Sequence, residues 1–265
     1  MKMKIITRTA AGILFLACAD LAAESIDLSM PDAWEQNKTI GWNDGTITTQ
    51  GRIKLTTLKK FPVDPSKKYT FSFMTKASKP SNWLLAGFQA FDEKGRMILS
   101  PNVNAVPESM TETVQAAPRG EKFIIVKDAS KWTRDGGLSI VSGAKADYSD
   151  LPNFNIAATG IADVKKEGEN WKVTLVRPLA LPLAAGASVR LHRPGGAIYT
   201  CGITYISDKW SRIKGSIKGV SANKPGYGPY VWPAGTVSGQ AIILVNWKNV
   251  KDMTTDFEEL KLEIE

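Results

Sequence analysis

The sequence predicts an all-β chain, and three observations carry that expectation. Apolar residues alternate with polar ones at a period of two in nearly every patterned stretch, those stretches are rich in β-branched and aromatic residues, and the apolar spacing of a long helix is hard to find. A period of two is what successive side chains on opposite faces of a pleated strand produce. Short strands joined by turns at close spacing imply two packed sheets or a closed barrel.

Taken in order, the chain opens with "MKMKIITRTAAGILFLACADLAAES", where Lys2, Lys4 and Arg8 precede an apolar run over residues 10–17. That run is shorter than the ~20 residues a bilayer-spanning helix needs. The layout is that of a secretory signal cleaved after Ala23, which would remove residues 1–23 and export the rest. "FLAC", ending at Cys18, also resembles a bacterial lipoprotein cleavage box, so a soluble exported product and one anchored by lipid at Cys18 both stand. No other stretch is long and apolar enough to be read as a transmembrane helix. Cys18 is cleaved or acylated in either case, so Cys201 has no intrachain partner, and a small core residue is the expected role for its thiol.

The clearest strands are "KYTFSFMTK" from Lys68, "WLLAGFQAFD" from Trp83, "EKFIIVK" from Glu121, "NWKVTLV" from Asn170 and "ASVRLHR" from Ala187. Four more follow: "IYTCGITYIS", "WSRIKGSIKG", "QAIILVNW" and the terminal "DFEELKLEIE". Turns are expected at "DEKG" from Asp92, "TRDGG" from Thr133, "KEGEN" from Lys166 and "RPGG" from Arg193, each offering residues that accept a positive φ. Residues 99–119 hold Pro101, Pro107 and Pro118 with little pattern and read as a linker or domain crossing.

"FPVDPSKKYTFSFMTKAS" from Phe61, with "GFQAFDEKGRMI" from Gly87, resembles the galactose-binding-like β-jelly-roll modules that serve as carbohydrate-binding modules in secreted glycan-degrading systems. "KWSRIKGSIKG" from Lys209, "AIILVNW" from Ala241 and "TTDFEELKLEI" from Thr254 resemble the end of the same pattern. The resemblance spans roughly residues 40–100 and 205–265 and implies a jelly-roll β-sandwich. Such modules run to ~150 residues, within the usual domain range. The middle is therefore read as an inserted smaller β domain at residues 104–200, with the sandwich at 24–103 and 201–265. Two sandwiches in sequence is the competing organisation.

The resemblance implies a polysaccharide or glycan as partner. Sugar recognition needs flat aromatic faces with amide, carboxylate or guanidinium groups beside them. Trp42 in "IGWNDGT", flanked by Asn43 and Asp44, has that composition. Tyr227, Tyr230 and Trp232 crowd the Gly- and Pro-broken "YGPYVWPAGT", where the rings serve either a ligand or the core. In "WSRIKGSIK", Ile213 and Ile217 share one parity and Trp210, Arg212, Lys214 and Lys218 the other, so Arg212 could pair with a uronate or sulfate; a solvated outer face explains the pattern equally. The modules often hold a structural calcium near the chain ends. Asp256 stands where an acidic residue commonly precedes their last strand, and no other cofactor is expected.

Basic residues number 34 and acidic ones 26, a net +8; the leader carries three basic residues and one acidic, so its loss leaves +6. That balance is compatible with an acidic polysaccharide, while the lack of a dense basic run argues against nucleic acid. His192 is the lone histidine, which removes any two-His metal site within one chain, and G-x-S-x-G, H-E-x-x-H and phosphate-loop motifs are absent. The leading expectation is an exported, non-catalytic carbohydrate-binding protein. The alternatives are a structural or adhesive envelope protein with an apolar patch on residues 104–200, and a glycan-cleaving enzyme with a site between the lobes. Two close carboxylates in a cleft, or His192 beside a Tyr and an Arg, would mark the enzyme.

Overall fold

Tyr69, Phe71 and Phe73 occupy alternate positions of "KYTFSF", and all three are buried on one face of a strand. Each such ring contributes roughly 1.5–3 kcal/mol by leaving water. The computed structural model describes residues 24–36, 38–222 and 228–265; the expected signal segment with Cys18, and Tyr227, lie outside the described residues.

The chain forms β1 (Glu24–Asp27), β2 (Gly41–Asn43), β3 (Thr46–Gln50), β4 (Ile53–Thr56), β5 (Phe61–Pro62), β6 (Lys68–Ala77), β7 (Ser81–Phe91) and β8 (Met97–Ile98), then a four-residue helix, α1 (Ser100–Val103). A middle group follows: β9 (Thr111–Glu112), β10 (Phe123–Val126), β11 (Asp135–Ser142), β12 (Ile156–Glu167), β13 (Asn170–Leu175) and β14 (Ser188–His192). β15 (Ile203–Ile206), β16 (Ser211–Lys218), β17 (Ser238–Val245) and β18 (Thr254–Ile264) come last.

Three antiparallel sheets result. The first runs β16-β6-β18-β3-β2, with β1 also on β18; the second runs β15-β7-β17-β4, with β5 on β17 and β8 on β7. Their principal strands therefore stack as β3-β18-β6-β16 over β4-β17-β7-β15, the interleaved double Greek key of a jelly roll. The third sheet, β10-β13-β12-β11-β14-β9, draws every strand from the middle group. Its buried cluster includes Ile124, Ile140, Ile161, Val173 and Leu191, separate from the sandwich core around Phe71, Phe88, Ile243 and Phe257. The insertion sits in the β7-to-β15 connection. Those two strands pair directly, Leu85 opposite Ile203, so the chain leaves the sandwich and returns to it at neighbouring positions.

The returning segment crosses β7 at Gly87, where an added Cβ would lie 2.0 Å from the carbonyl oxygen of Ile198, so only glycine fits. Between the lobes, Arg193 N–H donates to Asn104 O (2.8 Å) and Val106 N–H to Leu191 O (2.8 Å), making a paired neck. Arg190, 1% exposed, is locked beneath it. Its guanidinium donates to Asp150 Oδ2 (2.8 Å), Lys145 O (3.0 Å) and His192 Nε2 (3.1 Å), and lies 4.7 Å from the Tyr148 ring centre. A buried cation held by this many partners is costly to strand, which ties the neck to one arrangement.

The aromatic loop resolves toward packing at Trp232. Its ring is fully buried, 5.2 Å from Phe88 and 5.6 Å from Tyr69, centre to centre. The backbone N–H of Trp232 donates to Gly219 O (3.0 Å) and its backbone carbonyl accepts from Ser221 N (2.7 Å), after which Pro233 and Thr236 close a turn. A ring with no exposed surface offers no face to a sugar, so the expected ligand role of Trp232 is corrected to a core role. The turn expected at "TRDGG" is also displaced, because Gly136 and Gly137 belong to β11, where the pairing with β12 shifts register in a bulge.

Candidate functional site

At the end of the second sheet away from the neck, three chain segments bring rings and cations together. The start of β7 lies there and carries Trp83, about 26 Å along the strand from Phe91. Past the end of β17, the Trp247 backbone N–H donates to Trp83 O (3.1 Å), which brings the two tryptophan-bearing segments to the same end of the sheet. The β3–β4 turn contributes Arg52, whose guanidinium carbon lies 3.8 Å from the Trp247 ring centre, and Lys248 Nζ lies 5.1 Å from that of Trp83. Lys54 shares the outer face through its pairing with Leu244. Tyr205 and Ile203 on β15 extend the surface and are 61% and 59% exposed.

The local sequence explains why this arrangement is held. "NWKNVKD" from Asn246 places Asn246, Asn249 and Asp252 at positive φ, the residue types that best tolerate that conformation. Asn246 is fully buried; its side chain accepts from Val250 N (2.7 Å) and donates to Val250 O (2.8 Å), and its carbonyl accepts from Asn249 N. Gly51 N–H donates to Met253 O (2.8 Å), which ties the Arg52 turn to the same loop. Beneath Trp83, the buried Leu85, Ala197, Ile242 and Leu244 form a small apolar cluster on which Trp83 and Tyr199 pack. The rings stand on rigid backbone, so little ordering cost remains for binding.

Sequence reasoning did not single out this group. Arg52, Trp83 and Trp247 are far apart in the chain, and the local signal was a Trp-Lys pair set between asparagines immediately after a buried strand. The residues it did single out do not converge. Trp42 (47% exposed), Asn43 and Asp44 lie on the β2–β3 hairpin, whose two-residue turn has Asp44 and Gly45 at positive φ. Arg212 lies on β16, at the opposite edge of the same sheet and about 19 Å of strand spacing away. Tyr230 is 64% exposed, and its carbonyl accepts from Lys218 N at the other end of β16. Ile213 and Ile217 are buried while Arg212, Lys214 and Lys218 are exposed, as the parity predicts, and Arg212 is ion-paired to Glu259. The Asp256 carboxylate accepts from Thr48 Oγ1 (2.8 Å) and pairs with Lys76 (3.7 Å); no three His, Cys, Asp or Glu side chains cluster for a metal among the described residues.

Two cavities bear on the enzyme reading. A cleft of about 610 Å3 opens at the sandwich edge between β1 and residues 57–62, with Leu28 and Leu262 in its lining and Asp27, Asp32, Lys59 and Lys60 around it. Between the lobes lies a smaller pocket of about 190 Å3, whose single lining carboxylate, Asp150, is committed to Arg190. His192 does stand beside an arginine that contacts a tyrosine, but the ring is fully buried. With Arg190 Nε donating to Nε2, the Nδ1–H donates to Pro101 O (2.8 Å). Burial, and then the Arg190 charge, hold this imidazole down to about 4, against the usual 6.5. A neutral, enclosed ring with both nitrogens occupied has no route to a substrate proton. Burial likewise pushes the Cys201 thiol up to about 12, as befits a packing residue.

No protein-family model matches this sequence, and no curated protein matches it. Among solved structures, the crystal structure named "Putative glycosyl hydrolase from Parabacteroides distasonis ATCC 8503" is similar over 90% of this chain and 98% of its own, with 12% identity and a TM-score of 0.25. A likeness at that level supports no statement about this protein.

Proposed function

We propose that this chain is an exported, non-catalytic glycan-binding protein that docks a polysaccharide on the Trp83 and Trp247 end of its second sheet. The observation that carries the reading is the meeting of a partly exposed Trp83 and an exposed Trp247 at one end of the second sheet, the latter on a clamped loop. Indole faces stack on the C–H side of sugar rings, and rigid placement limits the entropy lost. Neither indole N–H is used in a hydrogen bond among the described residues, which leaves both for sugar hydroxyls. Trp42 with Asn43 and Asp44, and Tyr230, remain as separate exposed groups that a long polymer could reach as secondary contacts.

Affinity electrophoresis through gels containing plant or algal polysaccharides tests this directly. The protein is expected to be retarded by at least one of them, and Trp83→Ala with Trp247→Ala to lose about tenfold or more in affinity. Retardation by none, or retention of full affinity in the double variant, would overturn it.

The adhesive alternative would work through the inserted lobe, where Met110, Val114, Val176 and Leu181 are exposed apolar side chains. Loss of attachment on replacing these four with serine, with the Trp83 and Trp247 variant unaffected, would favour it instead.

A further inference from the structure

The two outer faces of the sandwich differ in how most of their basic residues are held. On the first sheet, four cations have a carboxylate, Lys68 with Glu265, Lys76 with Asp256, Arg212 with Glu259, and Lys261 with Glu263, while Lys214 and Lys218 on β16 stand in solvent away from any aromatic ring among the described residues. At the ring-bearing end of the second sheet, Arg52, Lys54 and Lys248 are all exposed, and none forms an ion pair or a side-chain hydrogen bond among the described residues. Two of the three instead lie against the indoles. An aromatic face attracts a cation without neutralising it, so the charge and the N–H donors remain directed outward.

We infer that the ligand of this face is a polyanionic glycan, one whose uronate carboxylates or sulfate esters meet Arg52, Lys248 and Lys54 while its sugar rings stack on Trp83 and Trp247. The inference rests on the glycan-binding reading above and names its substrate class. A neutral sugar calls chiefly for hydroxyl-matching amides and carboxylates against the rings, whereas the side chains that lie against these indoles, Arg52 and Lys248, carry donors only. Guanidinium matches a carboxylate or sulfate through two parallel N–H bonds, and lysine supplies a compact second charge. Lys54 continues the positive strip across the sheet, on the same face as Leu244 and Leu85, so successive charges along a polymer find successive partners. Because the loop that carries Trp247 and Lys248 is fixed by Asn246, the spacing between charge and ring is set before the ligand arrives.

The test compares polygalacturonate, a sulfated galactan and neutral galactan in affinity gels at low and high salt, with single-stranded DNA and phosphatidylglycerol vesicles as further probes. Arg52→Gln with Lys248→Gln is set against Lys214→Gln with Lys218→Gln, which removes the same charge from the first sheet's outer face. The expected result is binding of an anionic glycan that weakens with salt, falls roughly tenfold or more in the Arg52 and Lys248 variant, and is unchanged in the control variant. Preference between polygalacturonate and the sulfated galactan then identifies the anionic group. Equal affinity for neutral and anionic galactans would overturn the inference and leave glycan binding intact. Equal loss in both variants, or tighter binding of DNA or vesicles than of any glycan, would also overturn it. Binding of no glycan at all would remove the reading beneath it.

Discussion

Acid should loosen this protein through a single residue at the neck. His192 is neutral in the folded chain, held down to about 4 by burial first and the Arg190 charge second, with the Asp150 carboxylate and the Pro101 carbonyl opposing that shift. In the unfolded chain its imidazole returns to about 6.5. The unfolded state therefore binds the extra proton between these values, and stability is complete above about pH 6.5, falls as pH drops toward 4, and levels below it. The gap between about 4 and 6.5 corresponds to about 3 kcal/mol at most, and about 2–3 kcal/mol of it is lost by pH 4.5. Urea unfolding at pH 7.5 and 4.5 reads this out, with His192→Gln as reference, because its amide can donate to Pro101 O and accept from Arg190 without titrating. Carboxylates elsewhere titrate in both proteins and cancel in the comparison. The wild type should lose about 2–3 kcal/mol more than the variant between the two pH values. Equal losses, to within about 0.5 kcal/mol, would show that His192 is not held neutral and that the neck has been misread.

Trp232→Ala should cost about 3–5 kcal/mol in urea unfolding, since it empties a fully enclosed indole site. Where the variant still folds, its glycan affinity should equal that of wild type. Asn246→Ala should release the loop bearing Trp247 and Lys248. Faster dissociation with a nearly unchanged association rate, measured by surface plasmon resonance, is the expected sign of lost preorganisation.

Long strands with strong alternation were legible from the sequence. "KYTFSFMTK" became β6, "NWKVTLV" β13 and "DFEELKLEIE" β18, because a central strand must segregate its side chains to two faces. Shorter strands were not. "TITTQ" and "IKLT" form β3 and β4, where threonines fall on both faces of the first, so their pattern is weak, and their long partners β18 and β17 lie some two hundred residues away. Gly136 and Gly137 show the limit of turn chemistry, since a bulge beside Gly160 consumes the same freedom that a turn would. For the site, composition pointed to rings and cations but to the wrong ones. Arg212 and Arg52 are equally basic in one dimension, and only the fold shows that Glu259 reaches the first and Trp247 the second.

The interleaving of the sandwich strands has a consequence for how the chain assembles. Of the four principal strands that emerge first, β3 and β6 are separated by β18, and β4 and β7 by β17, so apart from the short β2 and β8 hairpin partners none of them finds a principal neighbour until the last quarter of the chain is made. The third sheet owes nothing to either flank for its strand partners and can zip up while the ribosome is still short of β15. Its completion clasps residues 104–106 to 191–193 and so delivers the late strands to the waiting early ones, shortening the loop that the host must close. The guest lobe is in this sense a built-in assembly jig, and replacing it with a flexible tether of equal length should slow refolding of the host far more than it lowers the host's final stability.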